Sequence, residues 1–357
     1  MKERKAWIDW ARVCAVVCVV LCHGTESLYG PVLRGEQQVG RLLWLAENTL
    51  FTIGRLGVPL FLAITGTLLL DRERDPGEFY RKSFLPLLAT TELWIVLNYG
   101  FACMFQDVVF RWTDLLKEMV FLRTPELSHM WYMPMILGVY LALPFLSLAV
   151  RGVKNTKSFC LPYLVGCAAF LVVPTVNVFL TEAVAGGEPL KIKLELEYLG
   201  GLYGLYLLGG YLISRRRVLE RVRTWLLMLA FAVSFLLNTA GQYYLYSHGF
   251  FKSTRLTWYS SLFLFVMGMT LFELLRRGFS CVHTSRVVEL AARCSFGIYL
   301  LHKPIQILAA RYLPLEELTE GAAIALLSAA GLGFSMLILL PFGLWWKRAG
   351  KWLFFIK

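Results

Sequence analysis

Charge is scarce in this sequence. Only 17% of the residues are Asp, Glu, Lys or Arg, while 57% are hydrophobic and the mean hydropathy is +0.59. A soluble domain carries about 25% charge, so an ordinary soluble fold is excluded. The composition predicts an all-α, polytopic integral membrane protein. No small-residue cleavage site follows the first apolar segment, Trp7–Cys22, which is therefore expected to stay as a span and not to leave as a signal peptide. CxxC pairs and Cys/His metal spacings are missing, so no metal is expected. Cys14, Cys18 and Cys22 form a stripe along the first span and Cys103, Cys160, Cys167, Cys281 and Cys294 are scattered; all eight are expected as free thiols packed like small hydrophobes. No repeat, no Pro/Gly/Ser-rich linker and no appended soluble domain is visible, so residues 1–357 read as one integral membrane domain.

Acidic residues are outnumbered, 24 to 36, and the net charge is +12. Such a balance invites a nucleic-acid partner, but its distribution rejects one. Ten candidate spans are expected at about 6–25, 48–70, 84–105, 130–150, 159–180, 198–213, 224–246, 257–275, 290–310 and 321–346. Basic residues gather in alternate connections: Lys2, Arg4 and Lys5; Arg72 and Arg74; Arg151, Lys154 and Lys157; Arg215, Arg216 and Arg217; Arg276, Arg277 and Arg286; Lys347, Arg348, Lys351 and Lys357. The opposite connections are acidic or mixed, as in Glu182, Glu188, Glu195 and Glu197 or Glu316, Glu317 and Glu320. By the positive-inside rule both termini are cytoplasmic. The outer segments 26–47, 106–129 and 181–197 are long enough for re-entrant or interfacial pieces, and Trp112, Trp131, Trp225, Trp258, Trp345 and Trp346 fit interfacial belts.

What is present inside the membrane is more informative. The first span carries Arg12 and, 11 positions later, His23. At 100° and 1.5 Å per residue they share one helix face roughly 16 Å apart. An intramembrane cation is expensive and is a functional-site hypothesis by default. The plain alternative is that Asp9, one turn earlier, neutralises Arg12 and that His23 is interfacial. The second span begins Gly54-Arg55-Leu56-Gly57-Val58-Pro59, where Pro59 is expected to break the hydrogen-bond ladder, with Thr65-Gly66 offering a hydroxyl and a close backbone approach. Arg81 and Lys82 sit on the cytoplasmic rim of the third span, where phosphates could dock or where they simply obey the positive-inside rule. Ser128-His129-Met130-Trp131-Tyr132 places an imidazole beside aromatics suited to stacking a sugar, or is an ordinary interfacial run. Ser295, Tyr299 and His302 lie four and three apart on one face of the ninth span. Two histidines in the outer half of the membrane suit general acid–base work near neutral pH.

Four runs together resemble a known family, the membrane-bound acyltransferase family 3, which O-acylates cell-surface carbohydrates. Arg12 and His23 fall on its Arg-x(10)-His signature. Val58-Pro59-Leu60-Phe61-Leu62-Ala63-Ile64-Thr65-Gly66-Thr67 is similar to its V-P-L-F-F-x-I-S-G-Y, with Thr65 for Ser and Thr67 for Tyr. His129-Met130-Trp131-Tyr132-Met133 resembles H-L-W-F-L, and Ser295 to Pro304 resembles S-x-G-I-Y-L-x-H-x-P. The family's basic R-x-x-R on the third span is incomplete, since Arg81-Lys82 is followed by Ser83 and Phe84. No hydrolase-like domain follows the tenth span, so the resemblance is to stand-alone members in the cell membrane.

That resemblance implies acetyl-CoA or another acyl-CoA as donor substrate, no bound cofactor, and a hydroxyl of a carbohydrate or lipid-linked saccharide as acceptor. It implies His23, His302, Arg12 and Tyr299 as catalytic candidates, and Arg12, Arg81 and Lys82 as the residues that hold acyl-CoA. His129, Trp131, Tyr132 and Ser295 are the candidates for substrate binding. Lipids surround the chain, and a homo-oligomer is compatible with it. The competing reading from the same buried polar groups is a transporter or flippase for a small solute or saccharide.

Overall fold

The structure is a computed structural model and describes residues 5–73, 75–183, 187–192, 201–250 and 254–356. Lys2, Arg4, Arg74, Glu195, Glu197, Lys357 and residues 198–200 of the expected sixth span lie outside the described residues, as does the side chain of Glu182. Among the described residues the regular structure is helical throughout. The long helices are α1 Ala6–Leu33, α2 Arg41–Gly54 and α3 Gly57–Leu69, then α4 Pro76–Phe105. A short α5, Trp112–Met119, precedes α6 Tyr132–Gly152 and α7 Thr156–Thr181. The chain continues with α8 Gly201–Ser214, α9 Thr224–Ser247, α10 Leu262–Gly278, α11 Arg286–Tyr312, α12 Glu320–Leu344 and α13 Lys347–Phe354.

Each of the ten expected spans meets a helix or helix pair. Seven stretches, α2 and α3 counted together, are long and apolar enough to cross a bilayer. Of the remaining three, α8 and α10 are short, with 14 and 17 residues, and the 27-residue α11 carries Arg286, Glu289, Arg293, Lys303 and Arg311. The chain is a multi-pass membrane protein. On α9 the side chains of Trp225, Met228, Leu229, Val233, Leu236 and Leu237 are exposed. Water would penalise that face by about 25 cal/mol per Å², whereas lipid tails satisfy it.

The helices fall into two compact units, with the boundaries at Glu73/Arg74, within α6 at Phe145/Leu146, and at Thr284/Ser285. In the first unit α1 packs on α2, α3 and α10, and α3 packs on α8. The α3–α8 contact needs glycine. A Cβ on Gly66 would collide with the backbone of Leu207, and one on Gly210 with the backbone of Ala63. Small residues let membrane helices approach closely where no hydrophobic drive exists between them. In the second unit α11 packs on α12, and α13 packs on α12 and α4. Trp94 Nε1 donates to the Leu353 carbonyl at 2.7 Å and Thr90 Oγ1 to the Trp352 carbonyl at 3.1 Å, tying α13 to α4.

Several expected boundaries are corrected, among them the starts of the second and third spans, whose helices already begin at Arg41 and Pro76 and not at 48 and 84. The first span runs on to Leu33, eight residues past its expected end. The second span does not break at Pro59: α2 ends at Gly54, α3 starts at Gly57, and Pro59 is the third residue of the new helix. The first four N–H groups of a helix have no partner within it, so a proline there sacrifices no hydrogen bond.

Candidate functional site

In the first unit, α1 carries the expected pair. Arg12 is half-buried, and Asp9, one turn before it, is buried. Toward the other end, His23 Nδ1 is 2.7 Å from Oε2 of Glu26. The His23 side chain is 12% exposed and that of Glu26 37% exposed. A neutral imidazole that donates from Nδ1 to this carboxylate carries its basic lone pair on Nε2. Glu26 was not among the expected site residues. The signal for it was available: an acid three residues after a histidine shares its helix face.

The break between α2 and α3 places a second cation in this unit. Gly54 abuts α1 so closely that a Cβ there would lie 2.6 Å from the N and Cα of Cys22, the residue before His23. The next residue, Arg55, is only 8% exposed. Its guanidinium carbon lies 4.9 Å from the ring centre of Phe51, 4.8 Å from that of Trp258 and 5.5 Å from that of Tyr259. Such contacts strengthen when desolvated. Nη1 donates to the Tyr259 hydroxyl at 3.4 Å. Trp258, expected as an interfacial anchor, is thus also a wall around a buried cation. Sequence spacing could not reveal this, because the two aromatic partners stand some 200 positions from Arg55.

The Thr65-Gly66 step serves packing. Thr65 Oγ1 donates to the Phe61 carbonyl of its own helix at 2.8 Å, and Gly66 meets α8. Ahead of α1, burial and the positive charges of Arg215, Arg217 and Arg276 hold the Lys5 ammonium below its ordinary range. Those arginines, expected only as topology markers, therefore gather around the start of the helix that carries Arg12. Cys18 and Cys22 are buried and form no disulfide among the described residues. A separate apolar cavity of about 240 Å³ is lined by Leu70, Val150, Phe159, Tyr163, Gly166 and Leu205, and none of the expected site residues faces it.

In the second unit His129, Tyr132, Tyr299 and His302 come together. His129 is 1% exposed and His302 0% exposed, and their ring centres are 5.2 Å apart. Tyr299 lies 5.6 Å from His129 and 5.6 Å from Tyr132 by ring centres. Its hydroxyl donates to the His129 carbonyl at 2.7 Å, which clamps the Ser128–Trp131 turn onto α11. His302 Nδ1 lies 2.7 Å from the Tyr299 carbonyl. A carbonyl only accepts, so Nδ1 carries the hydrogen and Nε2 is the basic atom. Ser295 is buried and spends its hydroxyl on the Ala292 carbonyl at 2.9 Å, a helix-internal bond. Trp131 is half-buried with its ring 6.1 Å from that of Tyr132. Arg81 and Lys82 are exposed on a π-helical turn at the start of α4, and Lys82 pairs with Glu78 at 2.5 Å.

Taken singly, then, the first unit sets His23 beside Glu26, and the second sets His302 beside His129 and Tyr299. Over residues 5–346 the chain matches the family model described as an acyltransferase domain, that of acyltransferase family 3. No curated protein and no solved structure matches it.

Proposed function

The chain belongs to acyltransferase family 3, and from that premise we propose that it is a membrane O-acyltransferase. In this reading the donor is acyl-CoA, most simply acetyl-CoA, delivered from the cytoplasm. The acceptor is a hydroxyl of a cell-surface or lipid-linked saccharide, and the site of action is the cell membrane with both termini inside. Acyl-CoA is a substrate here and not a resident cofactor.

The observation that carries the proposal is the 2.7 Å pair between His23 Nδ1 and Glu26. With Nδ1 engaged, Nε2 takes the proton of the acceptor hydroxyl while that oxygen bonds to the thioester carbon. The carbonyl π electrons move onto its oxygen. The adduct then collapses, the C–S bond breaks, and the CoA thiolate recovers the proton from His23. Glu26 holds the imidazole's tautomer and stabilises the imidazolium between the two transfers. At the other end of α1, Arg12 and the group of Lys5, Arg215, Arg217 and Arg276 supply positive charge for the phosphates of CoA. For the second unit we propose that His302 and His129 are required for transfer and that Trp131 and Tyr132 contact substrate, with Tyr299 fixing the geometry of that cluster. Arg81 remains a candidate for CoA phosphate contact.

The transporter reading draws its support from the incomplete basic motif on the third span, where Arg81-Lys82 is followed by Ser83 and Phe84. The Arg12→Lys variant separates the two. It keeps the charge and loses the planar fork, so it should weaken acyl-CoA binding or turnover while acceptor binding stays intact. A protein that binds no acyl-CoA at all, and whose Arg12 variants alter solute uptake, would be a transporter.

A further inference from the structure

Arg55 is a buried cation with no carboxylate bonded to it among the described residues. Among the described residues its hydrogen bonding amounts to one long contact, 3.4 Å from Nη1 to the Tyr259 hydroxyl. Its Nε is fully buried and makes no hydrogen bond within the described chain. Three aromatic rings at 4.8–5.5 Å support the charge through their faces but accept none of the fork's in-plane N–H groups. A buried guanidinium with an unspent Nε–H gains from an oxygen anion that accepts it. The residue is the C-cap of α2, two positions before α3 begins, so the carbonyl end of one helix and the N–H end of the next meet beside it. Gly54 presses this break against α1 at Cys22, one residue before His23. The cation is therefore built into the same part of the first unit as His23.

We propose that Arg55 is an oxygen-anion site within the membrane interior, and that its occupant during acyl transfer is the oxyanion formed on the acyl carbonyl as the acceptor oxygen attacks. The identity of that occupant rests on the acyltransferase reading; the anion site itself does not. Donors preset toward developing negative charge, with no reorganisation needed, are the largest single source of rate in acyl transfer. Arg55 would touch the reacting carbonyl oxygen and so act as a catalytic residue. The aromatic rings hold the fork in place without competing for its hydrogens.

The test uses purified full-length protein and two readouts. Acetate, a small oxygen anion, is titrated against chloride at equal ionic strength, following tryptophan fluorescence, to which Trp258 beside the cation contributes, and thermal stability. Wild type should show a saturable acetate response and Arg55→Met none. Arg41→Met removes another cation–π contact, 5.2 Å from Tyr243, and should behave as wild type. In acetyl-CoA-dependent transfer to octyl glucoside as probe acceptor, Arg55→Met should lower kcat by about 10²–10³ with the KM for acetyl-CoA within about threefold. If Arg55→Met does not fold, Arg55→Lys should keep a weaker acetate response and lose at least about tenfold in kcat. Equal acetate responses in wild type and Arg55→Met, or full kcat in either variant, would overturn the assignment. A wild type that binds acetate through Arg55 but transfers no acetyl group would keep the anion site and refute the acyltransferase reading and its oxyanion.

Discussion

Replacing Glu26 by Gln keeps the shape and hydrogen-bonding reach of the residue and removes one charge from beside His23. The worth of that charge can be worked from the geometry. Two unit charges about 4 Å apart interact by about 4 kcal/mol at an effective dielectric of 20 and by about 1 kcal/mol in water. His23 is 12% exposed and Glu26 37% exposed, so solvent screens part of the interaction and about 2–3 kcal/mol remains. The charge acts only on the imidazolium, which exists after the acceptor proton has moved. The loss therefore falls on kcat, by about 30- to 160-fold, with little change in KM. Steady-state transfer of labelled acetyl from acetyl-CoA by equal amounts of folded protein gives both parameters. The two residues work as one unit, so the His23→Ala/Glu26→Gln double variant should be no slower than His23→Ala alone. A Glu26→Gln enzyme within about threefold of wild-type kcat, or one impaired in KM only, would refute the base assignment.

Other outcomes follow from particular contacts. Tyr299→Phe strands the buried His129 carbonyl, which the hydroxyl reaches at 2.7 Å, and should cost about 1–3 kcal/mol of stability; thermal unfolding should fall by several degrees, and an unchanged midpoint would show that the clamp carries no stability. Cysteines introduced near Arg216 and near Glu188 should react with impermeant reagents from opposite sides of the membrane, and labelling from one side would remove the assigned orientation.

Hydropathy alone located a helix at each of the ten expected spans, though not the short α5 and α13, because a bilayer obliges every backbone polar group to be satisfied within its own segment. That constraint is local and therefore readable. Ends and breaks were less readable. Thr25, expected as the end of the first span, is followed by eight more helical residues, and the second span breaks at Arg55-Leu56 and not at Pro59. Proline marks a break only when a carbonyl behind it needs an N–H, and at the third position of α3 none does. Arg12 with His23, and Tyr299 with His302, were visible because helix periodicity groups each pair, and His129 because aromatics adjoin it in sequence. The partners of Arg55, Phe51 aside, were not, since Trp258 and Tyr259 reach it through tertiary packing. Nor could the spacing of Ser295 disclose that its hydroxyl closes on the Ala292 carbonyl, or that the Tyr299 hydroxyl is spent on a carbonyl 170 positions away.

The central claim is that His23 is the base of an acyl transfer. It is tested most directly by acetyl transfer from labelled acetyl-CoA to membrane saccharide, comparing wild type with His23→Ala at matched membrane abundance. Turnover should fall by about 10²–10⁴, the usual worth of a positioned acid–base group. Near-normal transfer by His23→Ala would contradict it and move the search for the base to His302 and His129.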